Sequence, residues 1–269
     1  MIFNTKTSVY AVFGYPVSHS LSPVMHNSAF EHTGYNGVYL AFGVKDIKDA
    51  FTSARALGMK GLSITIPHKL EALKYLDEAD ETALKIGAVN TIINNNGFLK
   101  GYNSDGIGAV KALSEKSVIK GKNVAVLGAG GAARAVGFCI KNEGGKITVV
   151  NRTRENGERL AGDLSADFRP LNDIGKIKFD ILVNTTSVGM TPQKDLMPIE
   201  GRCLEKGMVV MDIVYNPLRT RLLQEAEKAG CITIDGLSMF VYQGAFQFEL
   251  WTGIKAPVDI MRKAVMNAL

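Results

Sequence analysis

A glycine-rich turn at residues 127–135, LGAGGAARA, lies between a short apolar run and a helical pattern. Residues 124–127 are typical of a buried parallel strand, and Gly128-x-Gly130-x-x-Ala133 then opens a helix whose free backbone N–H groups can hold a pyrophosphate. Glycine allows the tight turn and the close approach of backbone to ligand. An ordinary strand-turn-helix connection is the alternative, so the turn alone does not decide the function.

The residues that follow the next strand indicate which dinucleotide is bound. That strand, residues 147–150, ends about 20 positions beyond the turn, where binders of the unphosphorylated cofactor present Asp or Glu to the ribose 2′-hydroxyl. This chain has Asn151, Arg152, Thr153 and Arg154 there. A carboxylate would repel a 2′-phosphate, whereas a guanidinium binds it with two charge-assisted hydrogen bonds. We call residues 151–154 the basic selector. The strand, the glycine turn, the helix and the basic selector together predict an NADP(H)-binding domain.

Composition limits the classes of protein that this chain can form. With 269 residues and 46% hydrophobic content it can bury a large core, and a dinucleotide fold accounts for only about half of that length, so we expect two domains. The net charge of +5 is dispersed, which fits an anionic cofactor and substrate and argues against nucleic acid. No apolar stretch reaches the roughly 18 residues of a membrane span, and the N-terminus lacks a signal-peptide pattern.

Cysteines and histidines give no indication of a disulfide framework or a metal site. The three cysteines, Cys139, Cys203 and Cys231, are widely spaced and odd in number, so we predict that the protein is located in a reducing cytoplasm. All four histidines precede residue 70, without the His-Glu-x-x-His spacing or an accompanying acid cluster that would indicate zinc. We therefore predict no metal.

Strand and helix patterns alternate along almost the whole chain. In the N-terminal part we expect Ser22, before Pro23, and Asp46 to be helix N-caps, and a further helical stretch over residues 71–86. An Asn-Gly turn at residues 96–97 predicts a hairpin. The expected strands there are residues 9–14, 38–44, 61–66, 88–93 and 98–102.

The second half predicts a doubly wound parallel sheet, because its strands alternate with helices and such strands are joined by right-handed crossovers. Two helices, residues 237–251 and 257–268, end the chain, and we expect them to return to the first domain across a cleft. The fold class is thus α/β, an N-terminal domain with a mixed sheet plus a Rossmann-like domain. The expected strands of the second half are residues 123–127, 147–150, 180–184, 208–213 and 232–234.

A series of motifs over essentially the full length resembles the shikimate dehydrogenase family. The resemblance implies NADPH-linked reduction of 3-dehydroshikimate to shikimate, a step of chorismate and aromatic amino-acid biosynthesis. It also implies a substrate-binding domain at residues 1–104, completed by 239–269, and an NADP-binding Rossmann domain at 105–238. The motifs are VFGYPVSHSLSPVMHN (12–27), SITIPHK (63–69), IGAVNTI (86–92), GYNSDGIG (101–108), LGAGGAARA (127–135), VNRTR (150–154), VNTTSVGM (183–190), MDIVYNPLRT (211–220) and GLSMFVYQGAFQFELWTG (236–253).

By resemblance, Lys69 and Asp105 are the catalytic pair. Hydride transfer to a ketone leaves an alkoxide, which must receive a proton from a group within hydrogen-bond reach. An ordinary lysine has a pKa of about 10.4, so Lys69 can donate a proton near neutral pH only if its surroundings lower that pKa. The alternative is that Lys69 stays a permanent cation and stabilises the oxyanion. Composition alone would favour a surface lysine and an N-cap aspartate.

The predicted substrate contacts are hydroxyl and amide groups. Ser18 and Ser20 lie two apart, so in an extended segment both hydroxyls would point the same way, toward two carboxylate oxygens. A polar loop before the Ser22 cap is the alternative. Many relatives carry Asn at the position of Ser63. Because the serine side chain is shorter than that of asparagine, the preference between shikimate and quinate stays open. The remaining contacts implied by the resemblance are Ser63, Thr65, Asn90, Tyr215, Gln243 and, one helical turn on, Gln247.

The predicted cofactor contacts extend from the glycine turn to the loop after residue 184. The resemblance places that loop, Gly236 and Met239 near the nicotinamide half, with core packing as the alternative for the methionines. Many relatives carry a further Arg beyond Thr153, where Glu155 and Asn156 stand here, so the strictness of NADP use stays open. The predicted contacts are Gly128, Ala129, Gly130, Gly131, Ala132, Asn151, Arg152, Thr153, Arg154, Thr185, Thr186, Ser187, Met190, Ile213, Gly236 and Met239.

Two other functions stay open at this point. One is a quinate/shikimate dehydrogenase of broader substrate and cofactor use, and the other is a catalytically silent NADP-binding regulatory module. The predicted partners are the small molecules 3-dehydroshikimate and shikimate, with no nucleic acid and no membrane. We expect a monomer or a homodimer.

Overall fold

The computed structural model describes residues 3–269, which form two compact units. The first, here called the N-terminal unit, contains the chain up to Ser104 together with Gln243–Leu269. The second, here called the central unit, is Asp105–Tyr242. Both units combine a six-stranded sheet with helices, so the predicted α/β class is confirmed.

The sheet of the N-terminal unit is mixed, with the order β2-β1-β3-β5-β6-β4. β1 pairs in parallel with β2 and β3, whereas β5 is antiparallel to both β3 and β6. The predicted hairpin turn is present, and Asn96 and Gly97 both adopt positive φ angles of 54° and 95°. The strands are β1 Ser8–Gly14, β2 Gly37–Gly43, β3 Gly61–Ile64, β4 Glu78–Ala79, β5 Thr91–Asn95 and β6 Phe98–Tyr102.

Two predictions for the helices of this unit are wrong in detail. Leu21, not Ser22, occupies the N-cap position of the first helix. Residues 71–86 do not form one helical stretch, because Asp77 accepts a hydrogen bond from Leu99 N at 2.6 Å and holds the chain extended beside β6. Asp80 then caps a new helix by accepting from Ala83 N. The helices are α1 Ser22–Thr33, α2 Ile47–Ala56, α3 Glu81–Ile86 and, at the chain's end, α9 Val258–Met266, with a 3-10 turn at Glu71–Tyr75.

The end of the chain contributes to the core of the N-terminal unit through Trp251. Its indole Nε1 donates to Ile92 O at 2.9 Å, and its ring lies 5.3 Å from that of Tyr10. A Cβ at Gly61 would overlap this indole, so β3 needs glycine at the contact. Trp251 is partly buried, and full burial of a large apolar side chain contributes about 1.5–3 kcal/mol, so this aromatic packing helps to hold the C-terminal helices on the first sheet, as predicted.

The central unit contains the predicted doubly wound sheet. Its strand order is β12-β11-β10-β7-β8-β9, and every neighbouring pair is parallel. The strands are β7 Asn123–Leu127, β8 Lys146–Asn151, β9 Asp167–Pro170, β10 Ile181–Asn184, β11 Val209–Asp212 and β12 Ile232–Ile234. The helices are α4 Asp105–Ser114, α5 Gly131–Asn142, α6 Arg154–Leu164, α7 Arg221–Lys228 and α8 Gly236–Thr252, the last of which continues into the N-terminal unit.

The strand order changes direction between β7 and β10, which are neighbours in the sheet but not in sequence. Ligands of such folds bind outside the carboxyl ends of the strands at this switch point. β9 did not stand out in the sequence, because DFRP is short and alternates charged with partly buried residues. Within residues 3–269, no helix is long and apolar enough to cross a bilayer.

Candidate active site

The glycine turn of the central unit, residues 128–131, lies at the carboxyl end of β7, and we call it the glycine cradle. Gly128 has a φ of 108°, and a Cβ there would lie 2.9 Å from Thr185 Oγ1. Gly130 is the N-cap of α5, and Cβ atoms at Gly130 or Gly131 would enter open space. The first turn of α5 carries no acidic residue. Free N–H groups, the positive end of the helix dipole and this space fit a dinucleotide pyrophosphate.

The basic selector lies at the end of β8, on the strand next to the cradle. Arg152 and Thr153 are exposed, and Asn151 Nδ2 donates to Thr153 O at 2.8 Å, which shapes the turn into α6. Arg154 opens α6 and forms an ion pair with Glu158 at 2.8 Å. Both side chains are at least half exposed, and exposed i,i+4 pairs contribute only about 0.3–0.5 kcal/mol. Arg154 can therefore exchange Glu158 for a phosphate at little cost.

Replacing Glu158 by Gln is expected to lower the KM for NADPH about twofold and to leave the KM for NADH unchanged, because Arg154 loses a weak competing partner. Steady-state kinetics with each cofactor measure the effect. Glu143→Gln, an exposed position at the far end of α5, is the matched control and is expected to change neither value. An equal shift for both cofactors would contradict the assignment of Arg154.

The loops that follow β10 and β11 carry the other predicted cofactor residues. Thr185 Oγ1 donates to Leu127 O at 2.5 Å, so this side chain lies beside the glycine turn. Ser187 and Met190 are exposed, whereas Met239 is 7% exposed and belongs to the core of the central unit. A Cβ at Gly236 would overlap the carbonyl of Ile213, so only glycine fits where α8 begins. Tyr215 stacks on Phe240 at 4.9 Å, and burial raises the pKa of its phenol.

The two serines predicted to bind a carboxylate lie in a turn, not in an extended segment. Ser20 N donates to Val17 O at 3.0 Å, which closes a turn over residues 17–20. The period-2 argument for parallel hydroxyls is therefore wrong. Ser18 is exposed, and Ser20 is half-buried with its Oγ accepting from Ser22 N at 3.3 Å at the start of α1.

A chain of buried polar side chains joins four of the other predicted substrate residues inside the N-terminal unit. Gln247 is 1% exposed; its Oε1 accepts from Ser63 Oγ at 3.0 Å, and its Nε2 donates to Thr91 Oγ1 at 2.9 Å. Thr91 Oγ1 donates to Asn90 Oδ1 at 2.7 Å. Asn90 Oδ1 also accepts from Ser104 N at 2.8 Å, and Ser104 Oγ donates to Gln243 Oε1 at 3.2 Å. Thr65, half-buried directly after β3, is not part of this chain of bonds.

Tyr39 and His26 complete this network at the end where Ser63 lies. Tyr39 OH donates to Ser63 Oγ at 2.6 Å, so the Ser63 hydroxyl accepts from Tyr39 and donates to Gln247. The His26 ring stacks on Tyr39 at 4.5 Å, and its Nε2 lies 3.3 Å from Gln247 Oε1. Burial lowers the pKa of His26 to about 3, so the imidazole is neutral at physiological pH. The neutral ring thus packs on Tyr39 and contacts the same Gln247 oxygen that accepts from Ser63.

The two predicted catalytic residues belong to different units. Lys69 is half-buried, and its carbonyl accepts from Val89 N at 2.9 Å. The preceding His68 is 3% exposed with its Nε2 2.7 Å from Val44 O, which anchors the segment. Asp105 is the first residue of α4 and is 8% exposed, so it is not an ordinary solvated N-cap. The structure thus places both side chains on backbone that is held by packing.

Glycine after Asp105 is required by the helix packing of the central unit. A Cβ at Gly106 would overlap both Ala135 O and Cys139 Sγ of α5. The close approach of α4 to α5 therefore fixes the backbone that carries Asp105, next to the helix that begins at the glycine cradle.

Asp212 is a fully buried carboxylate at the end of β11 that sequence reasoning missed. It accepts from Thr220 Oγ1 at 2.6 Å, Asn184 Nδ2 at 2.9 Å and Val214 N at 3.1 Å. Burial outweighs these bonds and raises its pKa from 3.8 to about 6. An acidic residue at the end of an apolar strand, VVMD, was the available indication.

Asp212→Asn is expected to alter how stability depends on pH. Since the folded state holds the Asp212 proton more tightly than the unfolded state, this group's contribution to stability falls as pH rises from about 4 to about 6. A shift of about 2 pKa units corresponds to about 3 kcal/mol, from which the loss of the Thr220 bond subtracts about 1 kcal/mol. The free energy of unfolding of the variant, relative to that of the wild type, should therefore rise between pH 4.5 and 7. At pH 7 the variant should be at least as stable as the wild type. Urea unfolding at both pH values measures this, and parallel pH profiles would contradict it.

The parallel strand order, the glycine cradle and the basic selector define a Rossmann-type dinucleotide-binding protein joined to a second α/β unit. Three family models match the chain: shikimate dehydrogenase substrate binding domain at residues 12–92, shikimate/quinate 5-dehydrogenase at 110–239, and shikimate 5′-dehydrogenase C-terminal domain at 236–266. The chain belongs to the shikimate dehydrogenase family.

Relatives and solved structures match over nearly the full length. The shikimate dehydrogenase (NADP(+)) of Methanosarcina acetivorans is 49% identical and covers 97% of this chain, and 98% of that protein is matched. A shikimate dehydrogenase crystallised with NADP+ is 44% identical with a TM-score of 0.96, covering 99% of this chain and 97% of the other. The Thermus thermophilus enzyme, crystallised with NADP(H) and shikimate, is 36% identical with a TM-score of 0.92 and covers 98% of this chain and 100% of the other.

Proposed function

We propose that the protein catalyses the reversible NADPH-dependent reduction of 3-dehydroshikimate to shikimate. The observation that carries the proposal is the full-length similarity to NADP(+)-dependent shikimate dehydrogenases, combined with Lys69 and Asp105 standing in intact family motifs. The product belongs to the chorismate and aromatic amino-acid pathway. Retention of both ionisable residues favours an enzyme over a silent NADP-binding module.

The central unit would hold NADP(H) along the carboxyl edge of its sheet. The N–H groups of Gly130 and Gly131 at the start of α5 bind the pyrophosphate, and Arg152 and Arg154 bind the 2′-phosphate. The loop at residues 185–190 and Ile213 contact the nicotinamide half. When bound, NADPH supplies the hydride that adds to the carbonyl carbon of the substrate.

Lys69 and Asp105 act on the carbonyl oxygen. As hydride arrives, negative charge develops on this oxygen, and the Lys69 ammonium stabilises it and supplies the proton that completes the hydroxyl. The Asp105 carboxylate accepts a hydrogen bond from the hydroxyl that is formed. In the reverse direction the pair accepts the proton of the shikimate hydroxyl.

The N-terminal unit binds the rest of the substrate. Ser18 and Ser20 donate to the carboxylate, with Tyr215 of the central unit as a further donor. Asn90 and Gln243 bind ring hydroxyls, and the bonds from Thr91 and Ser104 to the Asn90 oxygen fix the orientation of that amide. Gln247 and Ser63 use their polar atoms on each other and on buried neighbours, so they act mainly by supporting this wall of the site.

We also propose the division of labour and the setting of the protein. Residues 1–104 with 239–269 form the substrate-binding domain, and residues 105–238 form the NADP-binding domain. Cys139, Cys203 and Cys231 form no disulfide within residues 3–269, which fits a reducing cytoplasm. The partners are small molecules, and the protein works as a monomer or a homodimer.

Absorbance at 340 nm tests the function directly. Purified protein should oxidise NADPH on addition of 3-dehydroshikimate and reduce NADP+ on addition of shikimate. Turnover of quinate at a comparable kcat/KM would replace the proposal by a broader quinate/shikimate dehydrogenase. Tight NADPH binding with no turnover of either acid would instead indicate a regulatory module.

A further inference from the structure

Asp212 lies between the two loops that follow β10 and β11. We define the β10 loop as residues 184–191 and the β11 loop as residues 212–220. The Asp212 carboxylate is 0% exposed; Oδ1 accepts from Asn184 Nδ2 at 2.9 Å and from Val214 N at 3.1 Å, and Oδ2 accepts from Thr220 Oγ1 at 2.6 Å. Bonds to a charged acceptor are shorter and stronger than neutral ones. One buried group thus ties both loops together.

Asn184 links the Asp212 carboxylate to the next residues of the β10 loop by hydrogen bonds. With its amide nitrogen bound to Asp212, its Oδ1 faces the next residues and accepts from Thr186 Oγ1 at 2.7 Å and Thr186 N at 3.1 Å. The end of the β10 loop is also joined to the middle of the β11 loop, since Thr191 N donates to Asn216 O at 3.0 Å. The conformations of the two loops are therefore coupled through the Asp212 carboxylate.

These loops carry most of the predicted contacts at the nicotinamide end of the site. We propose that Asp212 is a positioning residue for NADP(H): its carboxylate holds the β10 and β11 loops in the arrangement that receives the nicotinamide half. This inference rests on the proposed NADP(H)-dependent function. The predicted ligand contacts on the two loops are Thr185, Thr186, Ser187, Met190, Ile213 and Tyr215.

The negative charge of Asp212 is not needed for the fold itself. Asparagine has the same shape, and its Oδ1 can accept from Asn184 Nδ2 and Val214 N as the carboxylate does. Its amide nitrogen, however, would face Thr220 Oγ1, so that hydroxyl would lose its charged acceptor and could only accept a weaker bond from the amide. Because a buried charge is costly to desolvate, Asp212→Asn should keep the core intact, while the bond that holds the β11 loop to this position is weakened.

The test compares Asp212→Asn with Asp180→Asn. Asp180 directly precedes β10, at the opposite edge of the same sheet, where it accepts from Asn123 N at 2.8 Å. Fluorescence titration with NADPH gives the Kd, and thermal unfolding at pH 7.5 gives the stability. We expect Asp212→Asn to raise the Kd for NADPH about tenfold, or about 1.4 kcal/mol, with no fall in unfolding temperature. Asp180→Asn should keep the Kd within about twofold.

A second pair of variants decides the matter if Asp212→Asn does not fold. Thr220→Val removes the hydroxyl that donates to Asp212 and should raise the Kd for NADPH several-fold, whereas Thr220→Ser keeps that donor and should restore most of the affinity. The positioning role is overturned if wild type and Asp212→Asn bind NADPH equally, or if affinity falls only in proportion to stability across the variants. A wild type that binds no NADPH would overturn the proposed function as well.

Discussion

Lys69→Ala is expected to lower kcat for 3-dehydroshikimate reduction about 1,000-fold, within the 10²–10⁴ range typical of a positioned proton donor. Asp105→Asn should cause a loss of similar order, because the neutral amide removes the carboxylate on which the proposed proton transfer depends. The KM for NADPH should change little, since neither residue belongs to the predicted cofactor contacts. Stopped-flow absorbance at 340 nm separates the chemical step from product release.

The control for this experiment is Lys74→Ala, an exposed lysine in the 3-10 turn five residues beyond Lys69. It should retain wild-type kcat. Because Asp105 is buried at the start of α4, circular dichroism and unfolding curves must accompany Asp105→Asn, which has nearly the same shape and should fold. If Lys69→Ala retained kcat within a few-fold, the proposed proton transfer would be wrong.

The double variant Arg152→Ala and Arg154→Ala is expected to lower kcat/KM for NADPH about 100-fold and to leave NADH nearly unchanged. Each charge-assisted contact to a phosphate contributes about 1.5–3 kcal/mol, and two exposed contacts at the lower end of that range correspond to a loss of about 100-fold. NADH has no 2′-phosphate, so its kcat/KM does not depend on these contacts. Initial rates with each cofactor at saturating 3-dehydroshikimate give the ratio. Both arginines are exposed, so the fold should not change.

Arg202→Ala is the control for the loss of positive charge. Arg202 is exposed, pairs with Glu200 at 2.6 Å and lies in a short 3-10 turn away from β8. Its removal changes the net charge without touching the selector, so the cofactor preference should stay the same. An equal loss for NADPH and NADH in the double variant would mean that the arginines do not read the 2′-phosphate.

The elements that sequence analysis predicted best are those encoded by neighbouring residues. The glycine turn, the Asp46 cap and the Asn-Gly hairpin all depend on short-range backbone preferences, and all three are present. The helix predicted over residues 71–86 was wrong because Asp77 bonds to Leu99, 22 residues away. A long-range bond of that kind overrides local helix preference.

The predictions for the candidate site also succeeded where short motifs sufficed and failed where long-range contacts decide. The motifs directed attention to Ser63, Asn90 and Gln247, but no pattern indicated that Gln247 bonds to Thr91, 156 residues away in sequence. The turn over residues 17–20 likewise depends on Ser20 N meeting Val17 O, which the alternation argument ignored. Asp212 escaped attention since its importance lies entirely in the three donors around it.

Residue order by itself determined the α/β alternation, the phosphate-binding turn before α5 and the basic residues after β8, because periodicity and turn chemistry act over a few neighbouring positions. The tertiary structure alone decided which polar groups are buried and which atoms they bond. Burial and hydrogen bonding depend on segments that meet only when the chain folds, and these set the orientation of Asn90, the neutrality of His26 and the coupling of two loops through Asp212.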